Sequence, residues 1–95
     1  MKAYIIVHGI VQGVGYRAFV KGIADEYGVR GMVKNIDDGS VGIFADIETK
    51  KALEKFVEKI NVKGRQMEVF HIEIYNEFEE GYKEMGSYTP FKIIL

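Results

Sequence analysis

Cysteine is absent from this chain of 95 residues, and several classes of site are excluded with it. Without cysteine there is no disulfide framework, no thiolate nucleophile and no zinc site built on sulfur ligands. An excess of positive charge is also missing, since thirteen Lys and Arg residues stand against fourteen Asp and Glu residues. Domains that bind nucleic acid mainly through phosphate groups usually carry a strong basic excess. We therefore expect no nucleic-acid partner.

Long apolar runs are missing as well. No segment approaches the roughly 20 apolar residues that a membrane-spanning helix needs, and the run from Ala3 to Val7 is too short for a secretory signal. We expect a cytoplasmic protein with no membrane partner. Its composition, 47% hydrophobic and 28% charged, is that of an ordinary globular protein. The length suits a single domain over residues 1–95.

Two stretches have the hydrophobic period of an amphipathic helix. The first is predicted to begin at Arg17 and to end before Gly28, with an apolar stripe formed by Phe19, Ile23, Ala24 and Tyr27. The second follows Thr49, a suitable N-cap residue, with an apolar stripe formed by Leu53, Phe56, Val57 and Ile60.

Extended segments surround these helices and predict strands over residues 2–9, 29–36, 41–45, 67–75 and 91–95. The turn residues Asp37 to Ser40 join the second and third strands into an antiparallel hairpin. The order is strand, helix, strand, strand, helix, strand, with a strand-like tail. This is the split βαβ, or ferredoxin-like, α+β sandwich. We expect two helices on one face of a mainly antiparallel sheet, with a short C-terminal strand.

The segment GIVQGVGYRAF, residues 9–19, places three glycines directly before the first helix. A loop that follows a strand and begins a helix presents unpaired backbone N–H groups and the positive end of the helix dipole. Arg17 adds a permanent charge whose planar fork fits two oxygens of a phosphate or carboxylate. The combination predicts a binding site for a small anion.

Two other phosphate-binding patterns share features with this loop. The spacing Gly13-x-Gly15-x-x-Ala18, with Asp37 about twenty residues later, satisfies the dinucleotide-binding fingerprint. That fold requires a helical crossover after its second strand, whereas this chain makes a hairpin there. A Walker-type loop is excluded because no Gly-Lys-Ser/Thr closes the segment. The glycines would otherwise form only a tight connection, with Arg17 as a surface residue.

Two longer motifs carry a resemblance to a known family. The stretch VHGIVQGVGYR, residues 7–17, closely resembles the acylphosphatase signature, and GMVKNIDDGSV, residues 31–41, resembles that family's second motif. The similarity runs from about Lys2 to Ile74 and implies the same ferredoxin-like fold. It also implies hydrolysis of small acyl phosphates to a carboxylate and inorganic phosphate, with no metal and no cofactor.

The resemblance implies roles for particular residues. Arg17 and Asn35 would be catalytic, with Asn35 positioning the attacking water. Arg17 would also bind the substrate phosphate together with the backbone of Gln12, Gly13, Val14, Gly15 and Tyr16. Inorganic phosphate is then expected as product and inhibitor, and the protein is expected to be a monomer.

Some positions depart from the family pattern. Met32 stands where an aromatic residue is usual, Ile47 stands where the second motif commonly ends in Gly, and Lys63 to Gln66 replaces a Gly-Pro-rich segment. These changes are expected to affect packing and turns rather than phosphate contacts. His8 and His71 each lie in a predicted strand without a second ligand at metal spacing, so we expect both to be packed or surface residues.

A non-catalytic alternative remains. A ferredoxin-like regulatory domain could use the same loop to sense an anion without hydrolysing it. The presence of both Arg17 and Asn35 favours catalysis, because a sensor needs a clamp for the anion but no residue that positions water.

Overall fold

The computed structural model describes residues 1–95, and its elements follow the predicted order. The strands are β1 (Lys2–Ile10), β2 (Arg30–Asn35), β3 (Val41–Asp46), β4 (Glu68–Asn76) and β5 (Lys92–Ile94). The helices are α1 (Tyr16–Glu26) and α2 (Lys50–Ile60). Predicted and observed strand ends differ by no more than one residue. Thr49 caps α2 as expected, because its hydroxyl accepts a hydrogen bond from the amide of Ala52 at 3.1 Å.

The five strands form one sheet in the order β4-β1-β3-β2-β5. β1 pairs with β3 and β4, and β2 pairs with β3, all antiparallel. β5 lies at the edge and is parallel to β2, with Val33 opposite Ile93 at the centre of a three-residue pairing. The prediction of a ferredoxin-like α+β fold with a short C-terminal strand is confirmed.

Both helices pack on the same face of the sheet. Inward-facing sheet residues such as Ile5 and Ile43 form one buried cluster with Val20 of α1 and Phe56 of α2. Complete burial of such side chains contributes about 1.5–3 kcal/mol each to folding. The core therefore holds α1, and with it the loop before α1, at a fixed position on the sheet.

The buried stripe of α1 differs from the prediction by one position. Its fully buried residues are Tyr16, Val20 and Ala24, whereas Phe19 and Ile23 are only partly buried and Tyr27 is 42% exposed. The small residues Val20 and Ala24 let the helix approach the sheet closely. The large side chains on the neighbouring positions then cover the edge of the core.

The opposite face of the sheet is covered by the chain between β4 and β5. Tyr82 packs against Phe44, with 6.2 Å between ring centroids, and the amide of Gly31 donates to the carbonyl of Tyr88 at 3.0 Å. Met32 is buried on this face, beside Phe44 in register. Neither helix has the length and apolar character needed to cross a membrane.

Gly31 is predicted to be essential for stability. Its φ is +142°, and a Cβ there would lie 1.8 Å from the carbonyl oxygen of Phe44 on β3. Gly31→Ala should lower the free energy of unfolding by about 2 kcal/mol or more, measured by urea denaturation. Gly22→Ala is the matched control, because this helical glycine has open space around its Cβ. That change should be stabilising by up to about 1 kcal/mol. Similar effects at the two positions would show that the approach of Phe44 does not require glycine at position 31.

Candidate active site

The loop between β1 and α1 leaves a row of backbone donors free. Gly15 is the N-cap of α1 with φ +85°, a left-handed conformation, and no side chain caps the helix. The first backbone hydrogen bond of α1 runs from the amide of Phe19 to the carbonyl of Gly15, at 3.1 Å. The amides from Gln12 to Tyr16 donate no hydrogen bond within the protein. Five consecutive N–H groups at a helix N-terminus are suited to bind an anion.

Two side chains hold this loop in place. The amide nitrogen Nε2 of Gln12 donates to the carbonyls of Ile36 and Ser40, each at 2.7 Å. The buried hydroxyl of Tyr16 donates to the carbonyl of Ile60 in α2 at 2.7 Å. Burial raises the pKa of the Tyr16 phenol, which keeps this donor protonated. The loop is thereby joined to the β2–β3 hairpin on one side and to α2 on the other.

Arg17 is oriented by the C-terminal strand. Its Nη1 donates to the carbonyl of Ile94 at 2.9 Å, and the side chain is half-buried. One turn later on α1, the Lys21 ammonium donates to the carbonyl of Phe91 at 2.6 Å. A guanidinium carries five N–H donors, and Arg17 makes no other hydrogen bond in the protein. Its remaining donors are available to a ligand.

Asn35 is the last residue of β2 and pairs with Val41 across the hairpin. Its Oδ1 is buried, and it is the only buried side-chain nitrogen or oxygen atom without a hydrogen-bond partner. Leaving a buried acceptor unpaired costs about 1–3 kcal/mol. Buried acceptors in folded proteins are normally paired, with protein groups or with ordered water, so an unpaired one marks this residue for a role beyond packing.

Two adjoining cavities connect these features. A cavity of about 250 Å³ lies along the loop, lined by Val11, Gly13, Gly15, Tyr16, Arg17, Ala18, Ile93 and Leu95. A second, of about 360 Å³, is lined by Arg17, Lys34, Asn35, Ile94 and Leu95. Arg17 and Leu95 line both. The structure therefore brings the predicted loop, Arg17 and Asn35 together. A larger cavity of about 430 Å³, between Tyr27 and Lys55, contains none of them.

Comparison with known proteins identifies the family of the chain. The family model for acylphosphatase matches residues 3–93. The chain belongs to the acylphosphatase family. The acylphosphatase of Archaeoglobus fulgidus is 39% identical over 85 residues, covering 82% of this chain and 94% of that protein. The acylphosphatase of Thermotoga maritima is 40% identical over 85 residues, covering 88% and 93%.

A solved structure gives the same result. The crystal structure of acylphosphatase from Bacillus subtilis matches with a TM-score of 0.77 and 38% identity, over 100% of both chains. The resemblance seen in the sequence is therefore confirmed, and with it the prediction of an acylphosphatase, a hydrolase of acyl phosphates, at the level of the family.

The departures from the acylphosphatase pattern lie away from the two cavities. Met32 and Ile47 are both buried, at 5% and 6% exposure, where they fill the packing on either side of the sheet. Lys63 to Gln66 lies before β4 and lines neither cavity. These positions affect packing and turns, as expected.

The remaining polar candidates have structural partners. The Ser40 hydroxyl donates to Oδ1 of Asp38 at 2.5 Å; this bond, together with one from the Ser40 amide, lowers the pKa of the Asp38 carboxyl. His8 pairs with Glu73, at 2.5 Å between Nε2 and Oε2, and stacks on His71 with centroids 5.8 Å apart. Both histidines are thus packed or surface residues, as predicted.

Two polar groups in the cavity lining, the Ile94 carbonyl and the Lys34 side chain, were not predicted from the sequence. The Ile94 carbonyl could not be found from a side-chain pattern, because any residue supplies the same group. Lys34 lies inside the second motif, directly before Asn35, and a cation at that position was the available signal.

Gln12 is predicted to stabilise the protein through the two carbonyls that it binds. Gln12→Ala leaves both without this donor, so it should lower the free energy of unfolding by about 1–3 kcal/mol in urea denaturation. Gln66→Ala is the control, because Gln66 is exposed and makes no side-chain hydrogen bond. It should change the stability by less than about 0.5 kcal/mol. An equally small effect of Gln12→Ala would exclude a structural role for this contact.

Proposed function

We propose that this chain hydrolyses the carboxyl–phosphate anhydride of small acyl phosphates at the two adjoining cavities. The phosphoryl group binds the amides of Gln12 to Tyr16 and the guanidinium of Arg17, and Asn35 holds the attacking water. The observation that carries this proposal is that Asn35, whose buried Oδ1 has no partner in the protein, lines the same cavity as Arg17.

Phosphate binding depends on donors that are fixed before the substrate arrives. Phosphoryl transfer spreads negative charge over three equatorial oxygens, and five loop amides with one guanidinium can bind all three. The contacts of Gln12 and Arg17 with the hairpin and β5 keep these donors in position. Stabilisation of the transition state therefore requires little rearrangement of the protein.

Asn35 contributes position to the chemical step. Its Oδ1 accepts a hydrogen bond from the water and holds the water oxygen in line with the phosphorus. The attack then no longer depends on a chance encounter between water and substrate. The water oxygen forms a bond to phosphorus as the bond to the acyl oxygen breaks, and that electron pair leaves on the carboxylate. No Asp, Glu or His side chain lines either cavity, so a phosphoryl oxygen accepts the proton of the water. The carboxylate is a weak base and leaves without protonation.

The unpaired oxygen also argues against the anion-sensing alternative. A sensor benefits from the loop amides and Arg17, but a buried carbonyl oxygen beside an anion is electrostatically unfavourable for binding. The same oxygen is favourable when a water molecule lies between it and the phosphoryl group. We further propose a monomeric protein for which inorganic phosphate is both product and inhibitor, and a cytoplasmic location.

Turnover of a synthetic acyl phosphate tests the proposal directly. The protein should hydrolyse benzoyl phosphate well above the spontaneous rate, with EDTA present, since the proposed step uses no metal. The measurement is the loss of benzoyl phosphate absorbance, with heat-denatured protein as the control. A rate equal to the spontaneous one, in protein that binds phosphate, would support the sensor instead.

Substitutions at Arg17 and Asn35 should separate binding from water positioning. Asn35→Ala should lower kcat by about 10²–10³ while phosphate inhibits at nearly the original concentration, because only the water loses its acceptor. Arg17→Gln should lower kcat by at least about 10³ and weaken phosphate inhibition by at least about tenfold. Steady-state kinetics with phosphate as inhibitor provides both values. Equal loss of phosphate affinity in the two variants would contradict the role of Asn35.

A further inference from the structure

Lys34 is a cation with no partner in the protein. Three lysines are half-buried: Lys2, Lys21 and Lys34. Lys2 pairs with Glu84 at 2.9 Å, and Lys21 pairs with Asp25 at 3.0 Å, whereas Lys34 makes no ion pair and no hydrogen bond. A half-buried lysine without a partner in the protein is a residue whose charge an anion nearby would stabilise.

No acidic side chain pairs with Lys34 or lines its cavity. Its cross-strand neighbours are Gly42 on β3 and Ile94 on β5. The cavity that it lines contains a second cation, Arg17, and no carboxylate side chain. The adjoining loop cavity contains none either. Both charged side chains that line these cavities are therefore positive, in a chain whose formal net charge is -1.

The register places Lys34 beside the group that orients Arg17. Ile94, its partner in β5, supplies the carbonyl that accepts the hydrogen bond from Arg17. Adjacent strands lie about 4.8 Å apart, so the backbone of Lys34 is close to the carbonyl that the Arg17 guanidinium binds. Successive side chains of a strand leave on opposite faces of the sheet, so Lys34 and Asn35 leave β2 on different faces, yet both line the same cavity as Arg17. The lysine is therefore part of the cavity wall without being part of the loop.

We propose that Lys34 is a second cation of this phosphate site. With Arg17, it attracts and binds the doubly charged phosphoryl group of substrate and product. Because the net charge of the protein is negative, the local potential of Arg17 and Lys34 provides the attraction for an anionic ligand. This inference rests on the proposed function, since it assigns the phosphoryl group to the same cavities.

The expected kinetic effect follows from the charge balance of the reaction. The total charge of the reacting group does not change between bound substrate and transition state, although its distribution does. A cation that acts on the total charge therefore stabilises both states about equally. Loss of such a cation raises KM and the inhibition constant of phosphate together, whereas loss of Asn35 lowers kcat.

The test compares Lys34→Gln with Lys34→Arg and with Lys59→Gln. Lys59 is an exposed lysine near the end of α2, so its removal controls for the loss of one charge from the whole protein. Lys34→Gln should weaken phosphate binding, measured by calorimetry, by roughly fivefold to tenfold and raise KM for benzoyl phosphate by a similar factor. The difference should shrink in 1 M KCl, and Lys34→Arg should restore most of the affinity.

Calorimetry separates the two proposals because it needs no turnover. If wild-type protein binds phosphate but hydrolyses nothing, the proposed function fails while the role of Lys34 can still be measured. If Lys34→Gln binds phosphate as tightly as Lys59→Gln does, Lys34 is not part of the site. A fall in kcat at unchanged phosphate affinity would also overturn the proposal, because Lys34 would then act on the chemical step.

Discussion

The structure depends on keeping five consecutive backbone amides without a partner. The backbone amides from Gln12 to Tyr16 donate no hydrogen bond within the protein, and a flexible loop would not keep this conformation. The loop is held open by contacts at both ends, through the Gln12 side chain and the Tyr16 hydroxyl. The free energy for this comes from the core beneath α1. Keeping the amides of the proposed anion site unpaired therefore costs free energy locally, and the packing of the rest of the fold offsets this cost.

The contacts that maintain the site join parts of the chain that are far apart in sequence. Gln12 reaches carbonyls 24 and 28 residues away, and Arg17 reaches one 77 residues away. β5 has a particular importance here, because its three residues pair with β2 and also accept from Arg17. Strand β2, which carries Asn35, and helix α1, which carries Arg17, are thus both bonded to the same edge strand, β5.

The fold and the loop were predictable because their signals are local. Hydrophobic periods, the Asp37–Ser40 turn and the Thr49 cap each act within a few residues, and all three were confirmed. The buried stripe of α1 was placed one position away, since the size of side chains that fit under a helix depends on the sheet opposite. The contact of the Ile94 carbonyl with Arg17 and the lack of a partner for Lys34 result from pairing between distant strands, so no local sequence pattern predicts them.

The unpaired groups of this site are of opposite polarity, and their polarity determines which ligand each group can bind. The loop amides, Arg17 and Lys34 present positive potential, whereas Oδ1 of Asn35 is the one unpaired buried acceptor. An anion satisfies the first set and a water molecule satisfies the second. Arg17 and Asn35 line the same cavity, so under the proposed function the two ligands lie side by side. A phosphoryl group with a water molecule next to it is the starting geometry for hydrolysis, which is why we propose the reaction rather than simple binding.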